Sequence, residues 1–178
     1  MAKANLKLVL VVTNDSTVFL GKNIASAFDM FGGRATEVKN LVARLDTAEK
    51  GGKKMCDVSY GVISSHFGFV PGNYVIAPYN KVMSCKKDYE AVQEKKDYLG
   101  KLEYVAPPFD KIIVCVPQDM FAMMLEHNTF PTEKVIAVTN PMFKEECEKR
   151  GWTYLERKGV RVGKENADKI FKMIEDIC

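Results

Sequence analysis

Between residues 60 and 80 the chain passes from a buried-strand pattern into polar, aromatic and backbone-restricting residues. Tyr60-Gly61-Val62-Ile63 leads into Ser64-Ser65-His66-Phe67-Gly68-Phe69-Val70-Pro71-Gly72-Asn73, and Tyr74-Val75-Ile76-Ala77-Pro78-Tyr79-Asn80 follows. His66, one of two histidines, carries the side chain whose ordinary pKa lets it exchange a proton near neutrality. Ser64, Ser65 and Asn80 offer hydrogen bonds, and Tyr79 offers a ring face for a planar base. Adjacency does not make a Ser/His catalytic pair, because neighbouring side chains on an extended segment point to opposite faces. The G-x-S-x-G nucleophile elbow is also absent. Proton transfer or hydrolysis with His66 as the acid/base group is the chemistry this set supports without a metal. A purely structural loop histidine is the competing reading. Gly68 and Gly72 are expected to supply positive φ and Pro78 to restrict Ala77, which stiffens the loop. Phe69 and Tyr74 read as core aromatics.

A second polar set, Thr13-Asn14-Asp15-Ser16-Thr17, follows the first aliphatic run and precedes an expected helix from Lys22. Hydroxyls and backbone N–H groups ahead of a helix can hold a phosphate or carboxylate. The candidate ligand contacts are therefore Thr13, Asn14, Ser16 and Thr17 in this loop, with Ser64, Ser65, Gly68, Tyr79 and Asn80 in the other. Neither G-x-G-x-x-G nor G-x-x-x-x-G-K-[ST] occurs. Asp15 opposes an anion unless it caps the helix or holds a sugar hydroxyl, and simple helix capping accounts for the loop equally well. Further polar loops stand at Pro117-Gln118-Asp119 and Thr139-Asn140-Pro141.

The elements that would position these loops follow from hydrophobic spacing. Leu6 to Val12, Val58 to Ile63, Lys111 to Val116 and Val135 to Val138 are continuous apolar runs, as strands buried on both faces are, and Trp152 to Leu155 reads as a last strand. Helical spacing marks Lys22 to Phe31, Thr36 to Ala48 with Thr36 as N-cap, a charged surface helix Asp88 to Leu102, Gln118 to His127, Met142 to Arg150, and a closing helix through Ala167, Ile170, Phe171, Ile174 and Ile177. Tyr74 to Ile76 reads as a short extended piece. Strands alternating with helices argue for one α/β domain over residues 1–178, a Rossmann-like three-layer sandwich with a mainly parallel sheet. Strand ends converging on one edge then nominate the ligand site.

Lys plus Arg number 26 against 23 Asp plus Glu, interspersed in runs such as Glu-Lys-Lys-Asp. That mixture argues against a dedicated nucleic-acid stripe, while a basic patch formed by folding stays open. Five cysteines, odd in number and without a C-x-x-C pair, point to a reducing, cytoplasmic setting and away from a zinc site. The opening Met1 to Val12 reads as the first core strand rather than a leader. No run approaches the ~18 apolar residues of a membrane span.

The segment Ile63-Ser64-Ser65-His66-Phe67-Gly68-Phe69-Val70, followed by Ile76-Ala77-Pro78-Tyr79-Asn80, resembles a widespread family of small α/β domains of unknown function. Its members carry Leu or Ile, Ser-Ala, any residue, an aromatic, Gly and a hydrophobic residue, and later Pro-Tyr-Asp. Here Ser65 stands in place of the alanine and Asn80 in place of the aspartate, which weakens any role needing a carboxylate there. The resemblance implies a Rossmann-like fold and an intracellular role near nucleotide or nucleic-acid metabolism. The opening, a strand and then Thr-Asn-Asp-Ser-Thr before a helix, is similar to the phosphate loop of flavodoxins, although those carry a Thr-Gly-Asn-Thr type of loop.

The leading expectation is a domain that binds a small anionic, nucleotide- or nucleoside-like ligand between the Thr13–Thr17 and Ser64–Gly68 loops, with turnover open. A flavodoxin-like FMN electron carrier is one alternative. An interaction module or homo-oligomer subunit using the Met-rich stretch Met120 to Leu125 is another, although core packing explains those methionines more simply.

Overall fold

The computed structural model describes residues 6–178; Met1 to Asn5, read with the first strand, lie outside them. In chain order the elements are β1 (Lys7–Asn14), β2 (Ala25–Ser26), α1 (Ala27–Met30), α2 (Ala35–Asp46), β3 (Glu49–Lys50), β4 (Lys53–Lys54), β5 (Cys56–Ser64), β6 (Gly68–Pro71), β7 (Val75–Ile76), α3 (Lys86–Lys96), α4 (Tyr98–Val105), β8 (Lys111–Cys115), α5 (Gln118–His127), β9 (Val135–Thr139), a 3-10 turn Pro141–Phe143, α6 (Lys144–Lys149), β10 (Thr153–Glu156) and α7 (Lys164–Ile177).

Six strands form the central sheet in the order β10-β9-β8-β1-β5-β6. All neighbours are parallel except β6, which folds back antiparallel on β5. Counted along the chain, the five parallel strands lie in the order 2-1-3-4-5, so the point where strand order reverses lies between β1 and β8.

Alternation along β1 explains why it is aliphatic throughout. Val9 and Val11 face a core completed by Val38, Leu41 and Leu45 of α2 and Ile170 and Ile174 of α7. Leu10 and Val12 face the opposite core, built with Tyr89 of α3, Tyr98 and Leu102 of α4, Met120 and Met124 of α5 and Cys147 of α6. The expected α/β sandwich is therefore present, with helices on both faces. Leu45 is fully buried, and its truncation to alanine costs on the order of 2–5 kcal/mol. Among the described residues no helix is long and apolar enough to cross a membrane.

Several sequence expectations change at the level of single elements. Lys22 to Phe31 is not a helix: only the turn Ala27–Met30 is helical. The flanking backbone pairs elsewhere, Phe19 bridging Phe31, Leu20 N donating to Met30 O, and β2 pairing with β7. Those cross-chain bonds satisfy groups that a helix would have used, and Ile24 of the supposed apolar face is 71% exposed. The surface helix expected over Asp88 to Leu102 is two helices, broken at Asp97, which has φ 45° and accepts from Gly100 N through its side chain. Thr36 lies inside α2, whose N-cap is Arg34. Gly72 lacks positive φ; a Cβ there would approach Tyr60 to 3.0 Å. Tyr74 is half exposed rather than core.

Candidate functional site

β1 and β5 run in register, Asn14 beside Ile63, so the residues just beyond them emerge together at one rim. Asp15 N donates to Ile63 O at 3.0 Å. The Asp15 side chain, 1% exposed, then becomes the joint of three segments. Its Oδ2 accepts from Ser65 N at 2.7 Å, Ser65 Oγ at 2.6 Å and Tyr79 Oη at 2.5 Å. Ser65 Oγ in turn accepts from Met83 N at 2.8 Å. Oδ1 is buried without a partner.

A direction of hydrogen bonding follows from the donor count. Tyr79 has one hydroxyl proton and gives it to Asp15, so the 2.8 Å contact between Ser64 Oγ and Tyr79 Oη is donated by the serine. Ser64 Oγ accepts from the backbone N–H groups of His66 and Phe67. The relay thus runs from the turn amides through Ser64 and Tyr79 to Asp15. Burial outweighs these donors and the nearby Arg161 charge, so the Asp15 carboxyl sits above its ordinary pKa of 3.8. Burial, then the adjacent Asp15 charge, pushes the Tyr79 phenol up as well.

Behind this joint lies Arg161, 5% exposed. Its Nη1 donates to Asn14 O at 2.6 Å and to Thr13 Oγ1 at 3.1 Å, and its Nη2 to Asp15 O at 2.6 Å. The Arg161 backbone N–H donates to the Glu37 carboxylate, which also accepts from Gly163 N at 3.0 Å. Desolvation lowers the guanidinium pKa.

In front of the joint, toward α3, opens a cleft of about 520 Å³ lined by Ser65, His66, Tyr79, Asn80, Lys81, Met83, Asp88, Ala91, Val92 and Lys95. The imidazole of His66 stacks on the Tyr79 ring with centroids 5.5 Å apart and planes 24° apart. The imidazole thus covers the Tyr79 ring face that was expected to receive a base, and Phe19, Phe31 and Phe67 pack around the rest of that ring. Lys81 and Lys95 bring positive charge to the same cleft. Asp88, its one acid, accepts from Ser84 N at 3.0 Å and Ser84 Oγ at 3.3 Å. The backbone N–H of Ser84, helped by other nearby donors, holds its carboxyl below the ordinary value.

No protein family, curated protein or solved structure matches this chain. Four expected contacts, Ser65, His66, Tyr79 and Asn80, share the cleft. The Thr13–Thr17 residues do not line it. Thr13 turns inward, donating to Cys115 O at 2.8 Å; Asn14 is buried with Oδ1 unpartnered; Ser16 Oγ accepts from Val18 N; Thr17 is exposed. The anion cradle expected from this loop also lacks its helix, because the one-turn α1 begins only at Ala27. Ser64 is fully buried within the relay, and Gly68 opens β6 with φ +75°.

The ligand is expected between the two loops. They do meet, but through direct hydrogen bonds to Asp15, and the open cleft adjoins them on the α3 side. Asp15, Arg161, Lys81 and Lys95 were missed as site residues. Asp15 read as an obstacle to anions, and Arg161 gives no local signal because its contacts lie 146 to 148 positions away. Among the described residues no group of three or more His, Cys, Asp or Glu side chains is placed to hold a metal ion.

Proposed function

We propose that this chain binds a small anionic, nucleotide- or nucleoside-like ligand in the cleft between the Ser65–Phe67 turn, the Ala77–Met83 segment and α3. The observation that carries this reading is the stacked His66–Tyr79 pair sharing a cleft of about 520 Å³ with Lys81 and Lys95. That size lies within the roughly 300–1,000 Å³ of small-molecule sites. A base stacks on the exposed imidazole of His66, which Tyr79 backs, Ser65 and Asn80 supply hydrogen bonds, and the two lysines meet the negative charge. The resemblance of the Ile63–Val70 and Ile76–Asn80 segments to a family of unknown function, which implies a role near nucleotide or nucleic-acid metabolism, is in keeping with this class of ligand.

Binding rather than turnover is what the arrangement favours. The His66 ring makes no hydrogen bond among the described residues, so no third group orients it as a general base. A thermal-shift series with nucleotides, nucleosides, free bases and flavins tests the proposal, since a native-state ligand raises the melting temperature by mass action. Nucleosides and nucleotides should raise it, nucleotides more strongly. A flat response to the whole series defeats the reading.

An FMN carrier is favoured by one observation, the 2-1-3-4-5 order of the parallel strands, which flavodoxins use. Opposing it, no helix N-terminus follows Thr13–Thr17, and Arg161 occupies the carbonyls of Asn14 and Asp15. Colourless protein that ignores added FMN removes this option.

A further inference from the structure

We infer a second subsite, for a phosphate group, in a separate cleft at the C-terminal ends of β8 and β9. It rests on residues other than those of the His66–Tyr79 cleft and stands or falls independently of it. The cleft has a volume of about 280 Å³ and is lined by Val116, Pro117, Gln118, Thr139, Asn140 and Arg157, with Gly159 at its edge.

Three kinds of donor meet there. Thr139 is 1% exposed, and its hydroxyl has no hydrogen-bond partner. Strand alternation puts that hydroxyl on the side of Val135 and Ala137, which pack with α5. A buried hydroxyl left unpaired is costly and calls for a partner. α5 begins at the same cleft with Pro117 as N-cap and no side-chain cap. Its first intrahelical bond is Phe121 N to Pro117 O, so the N–H groups of Gln118, Asp119 and Met120 have no acceptor within the helix. Arg157 supplies the third donor. Its Nη1 donates to Val116 O at 2.7 Å, and it makes no salt bridge among the described residues, which leaves guanidinium donors for an oxyanion.

The acid nearest in sequence, Asp119, stands in the first turn of α5, is exposed, and does not line the cleft. Asn140 Nδ2 donates to Gln118 Oε1 at 2.9 Å and ties these two lining residues together. A volume of about 280 Å³ falls just below the ~300 Å³ floor of drug-sized sites, which suits a phosphate group better than a whole nucleotide. Donors from a helix end, a hydroxyl and a guanidinium are the kinds of group that hold a phosphate oxyanion.

The test is a calorimetric titration of the full chain, in phosphate-free buffer, with inorganic phosphate and separately with methyl phosphate. Wild type should bind at least one of them. Thr139→Val should weaken that binding at least about fivefold and Arg157→Gln at least about tenfold, as loss of one hydrogen bond to a charged group implies. Binding of inorganic phosphate alone assigns the site to the free anion, and binding of methyl phosphate assigns it to the end of a monoester; either supports the inference. Thr139→Val should keep or raise the wild-type melting temperature, because it deletes an unpaired buried hydroxyl, so its loss of binding cannot be ascribed to unfolding. No binding of either compound by wild type at about 10 mM, or equal affinity in wild type and Thr139→Val, overturns the subsite. A nucleoside titration of the same proteins keeps the two sites apart: Thr139→Val should leave any nucleoside response unchanged, and phosphate binding without a nucleoside response sinks only the first cleft.

Discussion

The phenol of Tyr79 donates to Oδ2 of Asp15 at 2.5 Å, joining residues 64 positions apart. One face of that phenol ring is covered by His66, and its oxygen accepts from Ser64. A single side chain thus links the wall of the cleft to the buried carboxylate. Rigidity of the candidate binding surface and ionisation of Asp15 are consequently coupled.

Tyr79→Phe removes the donor to Asp15 and the acceptor of Ser64 while keeping the ring. We expect a loss of about 1–3 kcal/mol in unfolding free energy, as for other buried polar groups left without partners. Urea denaturation at neutral pH measures it. Unchanged stability shows that the relay contributes nothing.

Asp15 makes stability pH-dependent in a definite direction. Its folded pKa is raised above the ordinary 3.8, so between those two values the folded state holds more protons than the unfolded state. Stability then falls as pH rises through that window and levels off above it. Asp15→Asn cannot ionise, so the wild-type advantage over this variant should shrink from pH 3.8 upward. Denaturation curves of both proteins across the acid range decide the matter; a difference that grows with pH contradicts the raised pKa.

His66→Ala should weaken nucleoside binding roughly tenfold, the usual scale for one base–aromatic stack. His66 sits exposed on a turn, so stability should change by no more than about 0.5 kcal/mol. Parallel calorimetry and thermal melting separate the two effects. Undiminished affinity in a folded variant takes the imidazole out of the site.

Gly68→Ala should be strongly destabilising. The residue has φ +75°, and a Cβ there would lie 2.8 Å from Lys96 Cβ. Left-handed backbone alone costs an L-residue about 1–2 kcal/mol, and the close contact adds to that. A variant as stable as wild type in chemical denaturation would show that the turn relaxes freely.

Arg161→Met keeps the stem but strips three hydrogen bonds from Thr13 Oγ1, Asn14 O and Asp15 O. Two of those acceptors are carbonyls at the end of β1, and leaving them unpaired in the interior should cost about 3 kcal/mol or more. Calorimetric melting reads this directly, and a shift of less than a degree rules it out.

Much of the architecture is written in local pattern. Continuous aliphatic runs at β1, β5, β8 and β9 and 3.6-residue spacing in α2, α5 and α7 imply a parallel sheet covered on both faces, because burial of a strand or a helix stripe is a property of nearby residues alone. The same pattern misleads at Lys22 to Phe31, where Ile24, Ala27, Phe28 and Phe31 have helical spacing but the backbone pairs across Phe19–Phe31 and β2–β7 instead.

Sequence alone determined that polar loops end the parallel strands, and that the Ser64–Asn80 stretch carries an imidazole, hydroxyls and a phenol. Tertiary structure decided which of them act together. Asp15, read along the chain as an obstacle to anions, gathers Ser65 and Tyr79; Arg161 closes the space behind it; and the cleft opens toward Lys95 of α3 rather than between the two loops. The physical reason is range. Spacing along a chain reports on burial within a turn or a strand, whereas hydrogen-bond partners and clefts depend on which distant segments the sheet order brings to the same rim.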